Sequence, residues 1–332
     1  MSIPGSSLSS ATDGGISYAG VGILCASLAW FAFSINDLSI KYLSDSMPLH
    51  QIILFRSAIA LVFTLCVFLP LEGGFQLLKT RHLKIHIFRG VCLFFANMLF
   101  FIGLTSLSLP EATAIFFVAP LFITALSAIV LHEQVGIYRW GAVCIGLVGV
   151  LVMLEPQSGS INYYALFPLI SAFAYAVTQI LTRKIGFQDK ASTMAFYVQL
   201  TFIVICTAFG ILVGDGRFSN PDSPAIDFLF RSWVYPERNE YWILVLLGLC
   251  SGVGGYLISQ AYRVAESAVI APFEYVALLF SVLWSVLIFS EWPTFQAWTG
   301  IGLILCSGLF VFWREVVVGR PFVVEHPMPR NR

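Results

Sequence analysis

The side chains of this sequence that could do chemistry are few, and most lie inside long apolar runs. Glu274 sits in the stretch Ala271-Pro272-Phe273-Glu274-Tyr275. A carboxylate there has little water to stabilise its charge, and Pro272 removes a backbone hydrogen bond just ahead of it. Such a group suits a proton or cation site. A charge in mid-membrane costs about 2.5–3.5 kcal/mol, so it is expected to face the interior of a helix bundle and to have a partner. Asp37 and Arg56 form the second candidate. They sit near the facing ends of two runs joined by a short hairpin, with Asn36 beside Asp37 and Lys41 one turn on. They read either as binding or gating charges at the mouth of a pathway or as an ion pair tying the two runs together. Arg89, near Lys84 and His86, reads as a cation reaching back to the membrane surface, or as a gate or anion contact. Glu111, just after Pro110, suits the positive end of a helix.

An uncharged set accompanies these. Tyr175 and Gln179 are four apart and share a helix face, as do Tyr256 and Gln260. Paired ring and amide groups suit a planar substrate, stacked on tyrosine and hydrogen-bonded at its edge. The competing account is hydrogen bonding between helices. Asn97, Trp30 and Tyr275 complete the candidate lining, and Trp30 serves equally as packing. Other chemistry finds no footing. His82 and His86 share a helical spacing, but no third ligand is in view. There is no GxxxxGK[ST] phosphate loop, and no catalytic triad or carboxylate pair at one depth. No cofactor or metal is expected.

The elements that must position these groups follow from composition. Of 332 residues, 58% are hydrophobic and 11% charged, with mean hydropathy +0.86. A soluble domain carries about 25% charged residues, so this chain lacks the polar surface of a water-facing fold and its solvent is the lipid bilayer. The net charge of zero gives no reason to expect a nucleic-acid partner. Runs of about 20 apolar residues can each cross the hydrocarbon as a helix. Ten are expected: roughly 17–38, 49–70, 84–106, 110–131, 138–155, 161–183, 191–214, 241–263, 268–289 and 294–314. Residues 1–16 lack Lys and Arg and read as a disordered tail instead of a signal peptide. Residues 315–332 form a second tail. The connection 215–240 reads as an ordered or semi-ordered solvent loop whose aromatic residues dip into the interface. All seven cysteines lie in apolar runs without a CxxC, and behave as small hydrophobes.

Orientation follows from Lys and Arg. With the N-terminus in the cytoplasm, thirteen of the eighteen cations fall inside and four outside, with Arg56 in a span. Both termini are therefore expected in the cytoplasm. The halves also resemble each other. His132-Glu133 precedes Trp140 and a Gly-rich span, and Ser290-Glu291 precedes Trp298 and another, 158 residues later. Five spans per half is an odd number, so the second half must enter the membrane inverted. Inverted repeats are a recurring architecture of secondary transporters. Pro120, Pro168 and Pro272 are the expected bending points.

These features resemble the drug/metabolite transporter superfamily, EamA type, over nearly the full length. The resemblance rests on Ala119-Pro120 to His132-Glu133-Gln134 and on Ala271-Pro272 to Ser290-Glu291-Trp292-Pro293. The stretches from Asn36 to Leu43, Phe55-Arg56, Phe88-Arg89-Gly90 and Ala271 to Tyr275 are also similar to the branch that includes S-adenosylmethionine uptake carriers. Glu274 departs from that branch, where a basic residue is expected. Riboflavin carriers belong to the same family. The resemblance implies an all-α integral membrane protein of ten helices in two inverted five-helix repeats (17–155 and 156–314). It also implies a central cavity lined mainly by spans one, three, four, six, eight and nine. The expected function is secondary transport of a small polar or amphipathic metabolite across the inner membrane, with a proton as candidate coupling ion. The substrate reading is S-adenosylmethionine or riboflavin uptake. Export of amino acids or related metabolites is the alternative within this fold. A membrane-embedded enzyme or lipid-handling protein is the alternative outside it.

Overall fold

The computed structural model describes residues 18–44, 46–103, 112, 115–133, 135–154, 166–220, 224–289 and 295–317. Glu111, Glu291, both tails and the side chain of Lys41 lie outside that set. Among the described residues every regular element is helical, as hydrocarbon demands of chains that must satisfy their own backbone. The helices are α1 (Tyr18–Leu43), α2 (Leu49–Glu72), α3 (Leu83–Gly103), α4 (Ala119–Val130), α5 (Ile137–Leu154), α6 (Leu166–Ile185) and α7 (Ala191–Val213). They continue with α8 (Glu240–Val264), α9 (Ser267–Ile270, Ala271–Tyr275 and Val276–Phe289) and α10 (Phe295–Val317). Six of them (α1, α2, α3, α6, α7 and α8) are long and apolar enough to cross a membrane, and shorter apolar helices accompany them.

Prolines punctuate these rods where backbone hydrogen bonds must be given up. In α2 a π turn over Thr64–Phe68 precedes Pro70, widening the helix where the proline ring would crowd the preceding turn. In α9 the expected unbroken span tightens to a 3-10 turn over Ala271–Tyr275, with Pro272 at its start. Pro120 likewise sits in the first turn of α4, after a turn at Phe117-Val118. Pro168 lies near the start of the described part of α6, which runs from Leu166 to Ile185.

Pairing in the bundle follows small residues. α1 packs along α8, α3 along α6, α5 along α10, and α2 against α7 and α8. Ala26, Ala29, Ala172, Ala176 and Ala261 are fully buried in the larger core, because without a water-driven force helices associate where backbones approach closely. At Gly90 of α3 a Cβ would lie 2.5 Å from Thr201 Oγ1 of α7. Gly90→Val is therefore expected to cost about 1–3 kcal/mol as overpacking, seen as a lower unfolding midpoint of the detergent-solubilised protein.

The connection between α7 and α8 is docked more firmly than a solvent loop. It contains a short helix, Pro224–Phe230. Gln51 of α2 donates to Val234 O (2.6 Å) and accepts from Val234 N (3.1 Å). Trp233 Nε1 donates to His50 Nε2 at 2.5 Å, so His50 offers Nδ1–H to Leu229 O at 3.0 Å. The Trp233 ring lies against Gly210 and Gly214. Hydrogen bonds from Ser219 and Arg231 hold the Asp227 carboxyl below the usual carboxylate range. Its ordering contribution is thus present at neutral pH and is lost as pH falls through that lowered value. Gln51→Leu removes both bonds to Val234, and faster proteolytic cleavage within 215–239 is the expected outcome.

Candidate functional site

The 3-10 turn in α9 sends two consecutive side chains in different directions. Glu274, 1% exposed, turns toward α6 and α8. Its Oε1 accepts hydrogen bonds from Tyr175 Oη of α6 (2.9 Å) and Tyr262 Oη of α8 (2.5 Å). Tyr275 turns toward α5, donating to Val143 O at 3.4 Å, with its ring where a Gly146 Cβ would be. Two phenol donors on one carboxylate oxygen make charge-assisted contacts. They fix the Glu274 carboxylate in a buried position between α6, α8 and α9.

Tyr175 joins this carboxylate to an aromatic group. Its ring lies 6.1 Å edge-on from Trp30 of α1 and 5.5 Å from Phe116. Trp30 is 6.3 Å from Phe117, which is 5.8 Å from Tyr275. Gln179, one turn beyond Tyr175, is buried on the same face and approaches the Tyr175 hydroxyl. Trp30 Nε1 is buried without a hydrogen-bond partner. The structure thus brings Trp30, Tyr175, Gln179, Glu274 and Tyr275 together from α1, α6 and α9.

Asp37 lies two turns beyond Trp30 on the same face of α1, about 10 Å along the axis. It is exposed, and it makes no ion pair or hydrogen bond among the described residues. Leu24, Leu28, Phe31 and Tyr42 mark the lipid side of α1. Asp37 stands about 145° around the helix from them at 100° per residue, so its exposure is to the interior of the bundle. Asp37 and Arg56 make no direct contact among the described residues, although each charge acts on the other. Arg56 is buried, reaches Asn36 Oδ1 at 3.5 Å and lies over the Phe202 ring at 5.5 Å. Asn36 itself is buried, its amide 3.4 Å from Leu247 O.

Three expected site residues stand elsewhere. Tyr256 Oη donates to Glu72 at 3.2 Å and its ring stacks on Phe68 at 4.0 Å. Gln260 accepts from Arg263 at 3.0 Å. Asn97 donates to Leu93 O of its own helix at 2.9 Å. Arg89 does not reach the surface: it is 2% exposed, with Nε and one terminal nitrogen unpartnered. Near it, Asp189 accepts from His86 (2.9 Å) and Thr80 (2.8 Å). No metal-binding group of His, Cys, Asp and Glu occurs among the described residues.

The bundle end opposite Asp37 is stapled. His132 takes the left-handed conformation (φ 55°), and Glu133 N bonds Ser127 O in a helix-ending turn. That turn aims the Glu133 carboxylate across the bundle. It accepts from Arg183 Nε (3.2 Å), Ser267 N (3.3 Å) and Ala268 N (3.4 Å). Arg139 pairs with Glu266 at 2.5 Å, and Arg183 also donates to Arg263 O at 3.0 Å. Tyr262, Glu266 and Phe117 were not singled out by the sequence. Tyr262 precedes Arg263 at the end of an apolar run, where an aromatic residue ordinarily reads as a surface anchor.

A model of the EamA-like transporter family matches the chain twice, over residues 20–155 and 162–313. An S-adenosylmethionine uptake transporter from Rickettsia prowazekii (strain Madrid E) is 26% identical over 295 residues, covering 87% of this chain and 92% of that protein. A riboflavin transporter from Vibrio cholerae serotype O1 is 29% identical over 297 residues, covering 87% and 92%. A solved crystal structure, 18% identical, superposes with a TM-score of 0.71 over 90% of this chain and 98% of the other.

Proposed function

The chain belongs to the EamA-like transporter family, and from that premise we propose that it takes up S-adenosylmethionine or riboflavin across the cell inner membrane by alternating access. It is a multi-pass membrane transporter, and its relatives are carriers, not enzymes. The observation that carries the proposal is the site itself. A buried carboxylate, Glu274, is linked through Tyr175 to the Trp30 aromatic group, with an exposed Asp37 two turns further along α1. Rings suit a planar nucleoside or flavin, and the carboxylates suit a proton or a cationic substrate.

Ten spans in two inverted repeats fit the packing. Exchanging the halves carries the α1–α8 pair onto α6–α3, and α4–α6 onto α9–α1, while α2–α7 and α5–α10 map onto themselves. A two-fold axis in the membrane plane gives such a pairing, and rocking of the halves about a midplane site then exposes it to either face. The cation distribution supports cytoplasmic termini, which puts the Glu133 staple inside and Asp37 outside. In this reading the structure is closed to the cytoplasm. Proteoliposomes test it: saturable, protein-dependent flux of labelled S-adenosylmethionine or riboflavin is expected. Folded protein that moves neither contradicts the substrate reading.

A further inference from the structure

We propose, resting on the carrier reading above, that Asp37 is a charge selector and that the site takes a cationic substrate: a sulfonium or ammonium centre next to a heteroaromatic ring. Asp37 points away from lipid and is exposed within the bundle, yet it has no ion pair or hydrogen bond among the described residues. A carboxylate facing the interior near the end of a span attracts a passing cation. Arg56 in the neighbouring helix acts on Asp37 only through space, its guanidinium lying 3.5 Å from Asn36 Oδ1 and over the Phe202 ring. A substrate cation can make the direct contact that Asp37 lacks among the described residues.

Two turns below, Trp30 supplies the second observation. It is 8% exposed, and its indole N–H has no acceptor. A buried donor left unpaired costs about 1–3 kcal/mol, which an acceptor atom at the edge of a substrate ring would relieve. The faces and edges around it, from Tyr175 and Phe117, stack such a ring and also favour a neighbouring positive charge. The rise of about 10 Å between Trp30 and Asp37 matches a molecule whose ring and charged centre are joined through a sugar-sized spacer. An S-adenosyl sulfonium has that form. Riboflavin has a ring and a neutral chain, which leaves Asp37 unpaired.

The test is competition in proteoliposomes between S-adenosylmethionine and its neutral thioether analogue S-adenosylhomocysteine, which keeps the ring, sugar and amino-acid groups. The wild type is expected to prefer the sulfonium at least tenfold in apparent affinity. Asp37→Asn should bring that ratio within about twofold by weakening the sulfonium alone, and Asp37→Glu should keep the preference. Size-exclusion profiles matching wild type show that the variants fold. Equal affinity for the two compounds in the wild type, or an unchanged ratio in Asp37→Asn, overturns the inference while leaving the carrier reading intact. Saturable riboflavin flux without sulfonium flux does the same. Flux of none of these compounds brings down the carrier reading on which the inference rests.

Discussion

Glu274→Gln is expected to lower initial uptake at least tenfold and to leave the remaining flux indifferent to an imposed pH gradient. The reason lies in how the group is held. Glu274 is the acceptor at the centre of three elements, with Tyr175 from α6 and Tyr262 from α8 both donating to Oε1. A glutamine can still accept both phenols through its amide oxygen, so the fold should survive. What it cannot do is gain or lose a proton. If Glu274 carries the coupling proton, the binding and release of charge that turn the two phenols toward or away from it are abolished together. Tyr262→Phe and Tyr175→Phe separate the parts. Both leave the carboxylate with one donor, but only the Tyr175 change also disturbs the Trp30 aromatic group. Tyr262→Phe should therefore alter the pH profile of uptake with little effect on apparent substrate affinity, whereas Tyr175→Phe should alter both. Uptake by Glu274→Gln that tracks the pH gradient as the wild type does would remove Glu274 from the coupling step.

Glu133→Ala is the second large effect. It removes the acceptor that Arg183, Ser267 N and Ala268 N share, and so unfastens the end of α4 from α6 and α9. Removing one partner of a fully buried ion pair costs about 3–5 kcal/mol. Here the side chains are 14% and 9% exposed, and part of that cost is screened. A shift of about 1.5–3 kcal/mol is expected, tenfold or more in the balance between closed and open forms. Ser267→Cys provides the readout, since Ser267 is fully buried against the staple. In the Glu133→Ala background a membrane-impermeant thiol reagent should modify that cysteine at least tenfold faster from the cytoplasmic face. Glu133→Gln, which keeps an acceptor oxygen for the backbone N–H groups, should lie between. Equal labelling rates in all three proteins would mean that the staple does not set the resting state.

Much of this arrangement was legible in the sequence because lipid leaves few choices. Apolar runs had to be helices, and scarce polar groups within them had to face inward. Tyr175, Gln179 and Glu274 were therefore expected on inward faces, and the structure buries all three. Partnership was harder to read. Asp37 and Arg56 lie near facing helix ends and their charges act on each other, yet the direct contacts of Arg56 are with Asn36 and the Phe202 ring. Tyr256 and Gln260 share a face as spacing requires, yet that face meets Glu72 and Arg263. Periodicity fixes which residues share a stripe, not which helix the stripe meets. Tyr262 escaped for a different reason. It stands at the end of α8, and only the length of its side chain and the tight turn of α9 bring its hydroxyl to Glu274. The docking of the α7–α8 connection depends on pairs 183 residues apart, such as Gln51 with Val234, which no local pattern announces.

The most direct test of the alternating-access account is a pair of pulsed electron spin distance measurements on each side of the bundle. One pair of labels belongs at the stapled end, on exposed Ile137 and Lys184; the other belongs at the opposite end, on exposed Tyr42 and Phe295. Substrate turnover is predicted to lengthen the first distance and shorten the second. Distances that move in the same direction at both ends, or stay fixed at both while substrate crosses, would contradict the rocking of two halves about a shared site.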